Sequence, residues 1–128
     1  MKMNGRIINK GECDAEAIVS RSPIGFYGGI DAKTGLVIEK DHELEGKSVV
    51  GKVLVFPNGK GSTVGSYVIY GLKKNGVSPA AIINADCETI VATGVILADV
   101  PCVDKIDISK ISTGDRVKIR GEEVLVNE

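Results

Sequence analysis

Lys60, Ser62 and Thr63 stand among glycines in PNGKGSTVGSYVIYGL, residues 57–72, where an apolar run ends and a helical pattern begins. Such a setting offers three chemistries. The first N–H groups of a helix lack intrahelical partners and carry a partial positive charge, so a glycine loop there can cradle a phosphate. The same groups can stabilise a serine oxygen as it becomes an alkoxide. Ser62 or Thr63 can also be simply the N-cap of the helix. Glycines at 59 and 61 leave Ser62 free of bulky neighbours, which suits a ligand more than a cap requires. Lys60 is either a cation for that site or a solvated surface lysine. A nucleotide P-loop is excluded. That pattern needs glycine five positions before the Gly-Lys pair, where Leu54 stands, and Ser or Thr after the lysine, where Gly61 stands.

A second glycine stretch, SPIGFYGGIDAKTG, covers residues 22–35. Gly28 and Gly29 make either a tight turn or, with Phe26, Tyr27 and Asp31, one wall of a small-molecule pocket. Two such loops in a short chain suggest that they meet at one end of a sheet. Other chemistries find little support. His42 is the only histidine, and EKDHELEG reads as a solvated turn, so neither a Ser-His-Asp nor a Cys-His site can be assembled. Cys13, Cys87 and Cys102 are odd in number and widely spaced, with no C-x-x-C pair. They argue against a disulfide framework and against a metal held by this chain alone.

The elements that must position these loops are mostly strands. GRIIN, EAIVSR, GLVIE, KVLVF, AAIINA and VPCVDK are short apolar runs closed by turn residues. Val64, Val68 and Leu72 recur every four residues, which predicts a helix beginning at Ser62 and Thr63 and closing at Lys73, Lys74 and Gly76. CETIVATGVIL reads as a short helix or turn, and GDRVKIRGEEVLVNE as a terminal hairpin across Gly121. The 128 residues fit one domain, 1–128, without repeats or linkers. Composition is that of an ordinary globular chain, 43% hydrophobic and 26% charged. The formal net charge of −1 gives no footprint for nucleic acid or an anionic membrane, and two Phe, three Tyr and no Trp make a poor base-stacking platform. No segment reads as a signal peptide or a membrane span, so a cytoplasmic protein is expected.

The order SPIGFYGGIDAKTG, HELEGKSVVGKVLVFPNGKGSTVGSYVIYGL, SPAAIINAD, ATGVILADVPCVD and TGDRVKI closely resembles the small subunit of the aconitase X family, over residues 11–126. Gly25 and Tyr27 stand where relatives often carry Ser and Trp. The resemblance implies an α+β, β-rich fold, a swivelling β/β/α domain with a compact barrel-like sheet core and one or two helices. It also implies a heterodimer with a large catalytic subunit, and a [4Fe-4S] cluster bound by that partner rather than by this chain. Within the family a free-standing chain of this length is most like the archaeal hydro-lyase subunit that dehydrates (R)-5-phosphomevalonate to trans-anhydromevalonate 5-phosphate. A cis-3-hydroxy-L-proline dehydratase subunit and a non-catalytic swivel interaction module are the alternatives. By the same resemblance Ser62 is the proton acceptor, and Gly28, Gly29, Asp31, Lys60, Gly61 and Thr63 are the candidates for binding substrate.

Overall fold

A computed structural model describes residues 1–128. Two strands are apolar along most of their length because both of their faces are covered: β4 (Val53–Phe56) and β5 (Ala81–Asn84) are buried at every position. They run parallel, with Val53 opposite Ala81. The second half of β3 (Glu12–Val19) pairs parallel with β4, and β6 (Cys102–Asp104) pairs parallel with β5. β2 (Arg6–Asn9) closes this layer antiparallel to β6.

The first half of β3, residues 12–16, leaves that layer and pairs antiparallel with β7 (Arg116–Arg120). β8 (Glu123–Val126) follows through a turn at Gly121, and β1 (Lys2–Asn4) lies at its edge. The strand order is therefore β1-β8-β7-β3-β4-β5-β6-β2. Its two ends are consecutive in sequence and joined at Gly5, so the eight strands form a nearly closed barrel. Gly5 is required there because a Cβ would collide with the Asp104 carbonyl and lie 2.6 Å from a Val103 methyl.

Alternate residues of β4 and β5 face two cores. Val53, Val55, Ala81 and Ile83 point into the barrel with Val117, Ile119, Val124 and Val126. Leu54, Phe56 and Ile82 point outward to a helical layer. There α1 (Gly65–Lys74) and α2 (Thr89–Ala98) pack against each other. Gly94 permits their close approach, since a Cβ on it would stand 2.6 Å from Ile69 Cδ1. Full burial of Ile69 and Leu72 holds α1 down, at about 1.5–3 kcal/mol for each side chain. The β/β/α layering, the terminal hairpin and the helix at residues 89–98 follow the sequence reading. α1 also ends as the sequence predicts. Gly76 takes φ +72° and donates to the Lys73 carbonyl at 3.1 Å, while Val77 donates to that of Leu72 at 2.9 Å.

Three expectations need correction. GLVIE makes no strand. Leu36 and Val37 each form one isolated bridge, with Ser48 and Ile30, because Val37 supplies the run's single core side chain. The EAIVSR strand ends at Val19 and begins earlier, at Glu12, since its first half borrows β7 as a neighbour. The helix expected to begin at Ser62 and Thr63 begins at Gly65, and these two residues occupy the turn before it.

Candidate active site

The two glycine loops meet at the carboxyl ends of the parallel strands, the usual ligand end of such a sheet. Ile24 and Gly59 form a parallel bridge: Ile24 N–H donates to the Asn58 carbonyl at 3.2 Å, and Lys60 N–H donates to that of Ile24 at 3.1 Å. Gly61, with φ +88° and open space where a Cβ would be, then turns the chain so that Ser62 stands on the surface. The Ser62 Oγ accepts the Val64 N–H at 3.2 Å, and the Ser62 carbonyl accepts the Gly65 N–H at 2.9 Å. Thr63 is exposed, and its carbonyl accepts the Ser66 N–H at 3.2 Å. Val64 occupies the N-cap position of α1 with no side-chain cap, and no acidic residue lies in the first turn. A serine oxygen held by a backbone N–H beside an uncapped helix start is placed to carry negative charge.

The 22–35 segment is divided by the structure. A Cβ on Gly29 would overlap the Gly25 carbonyl, so Gly29 is needed for a tight fold-back. Gly28, exposed at φ +77°, supplies its turn. A Cβ on Gly65 would lie 3.5 Å from Phe26 Cβ and 3.6 Å from Tyr27 N, so this turn abuts the start of α1. In the pocket-wall alternative for this stretch, Phe26 lines the wall. It is instead 1% exposed and packed on Phe56 with ring centroids 5.8 Å apart, because the core beneath the loop needs an aromatic filler. Tyr27 keeps the surface position at 63% exposed.

Asp31 lies apart from Ser62. Its carboxylate accepts the Lys33 N–H at 2.9 Å, and neighbouring Ala32 accepts from Asn75, at the far end of α1. Lys60 is not a free cation: its Nζ pairs with Glu39 Oε2 at 3.0 Å. Glu39 in turn donates its N–H to the Gly29 carbonyl at 3.2 Å, which ties both glycine loops to one residue.

Several supports escaped the sequence reading. Glu43 Oε1 accepts from Arg21 N, Ser22 N and Ser20 Oγ at 2.8–3.1 Å. Desolvation would raise its pKa, but these donors outweigh that and hold it below the ordinary glutamate value. His42 is half-buried rather than solvated: its Nδ1 accepts the Leu44 N–H at 3.0 Å and its Nε2 lies 3.3 Å from the Pro23 carbonyl. The 41–46 turn thus buttresses the entry to the 22–35 loop.

The glutamate that caps α2 was also missed. The Glu88 carboxylate accepts from Ile90 N at 2.8 Å and Val91 N at 2.9 Å. Its visible signal was a glutamate just ahead of an apolar run, though glutamate is not among the favoured N-cap residues. Behind it, Asp104 is fully buried, bonded through both oxygens to Arg6 at 2.7 and 2.9 Å, and accepts the Cys87 N–H at 2.8 Å. Burial works against the Asp104 charge, yet Arg6 and that N–H keep its pKa below the usual carboxylate value.

The cysteines do not fit an iron–sulfur cluster. Cys13 lies on β3 in the antiparallel layer, and burial raises its pKa. Cys102 is fully buried, and its neighbour Cys87, reinforced by burial, holds its thiol protonated. Cluster ligation takes several converging thiolates. A pocket of about 350 Å³, open to solvent, lies along β3 and β7 between Glu12, Asp14, Lys118 and Arg120. The Ser62 loop has no comparable enclosure. No helix is long and apolar enough to cross a membrane.

The family model for the aconitase X swivel domain matches residues 2–127. A phosphomevalonate dehydratase small subunit of Thermococcus onnurineus is 55% identical over 126 residues, covering 98% of this chain and 97% of its own length. One from Methanosarcina acetivorans is 52% identical, covering 96% of this chain and 88% of its own. A crystal structure of Thermococcus kodakaraensis aconitase X, in its holo form, superposes with a TM-score of 0.98 at 52% identity, covering 100% of this chain and 99% of that one.

Proposed function

Because the chain belongs to the aconitase X swivel-domain family, we propose that it is the small subunit of a phosphomevalonate dehydratase, a cytoplasmic hydro-lyase in which Ser62 is the proton acceptor. The family match and the relatives' shared name support the activity. The observation that carries the role of Ser62 is its oxygen, held at 3.2 Å by Val64 N–H beside a helix start that no side chain caps.

Dehydration of (R)-5-phosphomevalonate breaks a C–H bond next to the carboxylate and a C–O bond on the adjacent carbon. The electron pair of the first becomes the new double bond as hydroxide departs. The α-proton is weakly acidic, so its acceptor must be a strong base close by. A serine hydroxyl titrates far above neutral pH and serves only if its alkoxide is stabilised. Val64 N–H and the partial positive charge at the start of α1 do this from within the chain. Lys60, Gly61 and Thr63 border Ser62, and Gly28 and Gly29 form the facing turn, so these are the groups proposed to meet the substrate anion. Asp31 shapes its own turn at the other end of α1 and is left out of the contact set.

The [4Fe-4S] cluster and the remaining wall of the site are assigned to the large subunit. Tyr27, Val64 and Tyr67, all more than 40% exposed, flank the Ser62 loop as an apolar rim that such a partner would cover. Closure on it would also exclude water from the serine.

The test uses the reconstituted two-subunit enzyme. Ser62→Ala is expected to leave assembly intact while turnover falls about a hundredfold or more. Exchange of the substrate α-proton with deuterated water should fall with it. Near-normal turnover and exchange in this variant would return Ser62 to the role of a turn residue. Tyr67→Asp is expected to weaken assembly at micromolar concentration, seen as separate elution of the two subunits.

A further inference from the structure

Both ends of the Ser62 loop rest on the first turn of α2. At the entering end, a Cβ on Gly59 would overlap Glu88 Oε1 and lie 2.8 Å from Val91 Cγ2. Gly59 has no positive φ, so the glycine is there for space: the loop backbone is pressed against the capping carboxylate. At the leaving end, Ser66 is buried and its hydroxyl donates to the Ile90 carbonyl at 2.7 Å, while a Cβ on Gly65 would lie 3.1 Å from Ile90 Cγ2. Ile90 and Val91 are the two residues whose N–H groups Glu88 holds. One carboxylate therefore fixes the turn that both ends of the loop touch.

The base of that carboxylate is itself fixed. Cys87 N–H donates to Asp104, which is buried and locked by Arg6. We propose that Glu88 is a positioning residue for Ser62: its carboxylate sets the first turn of α2 and, by contact with Gly59, the height and orientation at which the loop presents the serine oxygen. This rests on Ser62 being the proton acceptor. Glu88 touches no reacting atom in this scheme. Its effect passes through backbone geometry, to which proton transfer is sensitive, since displacing a reacting group by about 1 Å can cost on the order of a hundredfold in rate.

The experiment compares Glu88→Ala, Glu88→Gln and Gly59→Ala in the assembled enzyme. Glu88→Ala is expected to lower kcat about tenfold or more with KM changed less than about twofold, and to lower α-proton exchange by the same factor. Glu88→Gln keeps the length and one oxygen acceptor, and should recover kcat to within about threefold of the parent. Gly59→Ala should reproduce the kcat loss. Combining it with Glu88→Ala should cost less than the product of the two single losses, because the added methyl then has no carboxylate to displace.

A Glu88→Ala enzyme that melts earlier but turns over normally when folded would overturn the proposal, as would strictly multiplicative losses in the double variant. Should Glu88→Ala fail to assemble, Glu88→Gln and Gly59→Ala still decide by their kcat and exchange. Ser62→Ala separates the two failures. If it abolishes exchange while the Glu88 and Gly59 variants leave kcat unchanged, only the positioning role falls. If it leaves exchange intact, the proton-acceptor reading falls first.

Discussion

The first turns of α1 and α2 lie against one another and are finished in opposite ways. α2 receives a full carboxylate: Glu88 takes two of its free N–H groups and neutralises its partial positive charge. α1 receives none, and the side-chain oxygen that accepts an N–H at its start is the Ser62 hydroxyl, uncharged at neutral pH. The difference separates structure from chemistry. A helix start that already carries an anion is finished as a support and has nothing further to offer a ligand. One left without an anion keeps its N–H groups and its field for charge that arrives later. Placed side by side, the closed start stiffens the platform on which the open one acts.

Giving α1 the anion that α2 already has should erase the difference. Val64→Asp sets a carboxylate beside Ser62 at an exposed position, where it repels both an alkoxide and an anionic substrate. Turnover of the assembled enzyme is expected to fall about tenfold or more, and Val64→Asn, matched in shape but uncharged, should stay within about threefold of the parent. The converse change removes the anion from α2. Apart from its effect on kcat, Glu88→Ala should cost about 1 kcal/mol of stability, read as a fall of several degrees in the melting temperature of the isolated chain.

Smaller still is Glu39→Gln, which frees Lys60 from a half-exposed ion pair. Stability should change by less than about 1 kcal/mol, and KM for the anionic substrate should fall rather than rise. An unchanged KM would take Lys60 out of the anion's surroundings. On the pH axis, Glu43 has a folded pKa below its unfolded value. Its contribution is complete above the unfolded value of about 4.3 and is lost as pH falls through the folded one. Glu43→Gln should accordingly flatten the acid limb of the stability curve and leave the neutral region parallel to the parent's.

The sequence revealed what is encoded by continuous burial and missed what is encoded by contact. KVLVF, AAIINA and VPCVDK were readable as strands because β4, β5 and β6 are covered on both faces, and the terminal hairpin was readable from its alternation around Gly121. β1 was invisible because three partly exposed residues, Lys2–Asn4, carry no pattern and owe their strand to β8. GLVIE misled in the other direction: four of its residues look like strand, but Leu36 and Ile38 point to solvent.

At the site, Ser62 and its glycines were conspicuous as types. That the helix waits until Gly65 was not, because the turn bonds of Ser62 and Thr63 mimic a helical start. The carboxylates of Glu39, Glu43 and Glu88 act on residues 21–29 positions away in sequence, which no local pattern records. The activity itself came from resemblance. Nothing in a serine among glycines specifies a phosphorylated hydroxy acid.

β3 belongs to two layers at once, antiparallel to β7 over residues 12–16 and parallel to β4 over residues 17–19. Neither layer can therefore open without tearing a strand from the other, and melting should be all-or-none. The pairings that close the barrel join the chain's extremes, Lys2 to Leu125 and Arg6 to Asp104, so few of them can form before nearly all of the polypeptide is in hand. Such a topology folds slowly for its size and, by the same token, has no cheap partial opening. Slow hydrogen exchange should extend in one cooperative block from β3 across both layers, with the 57–64 loop exchanging fast outside it.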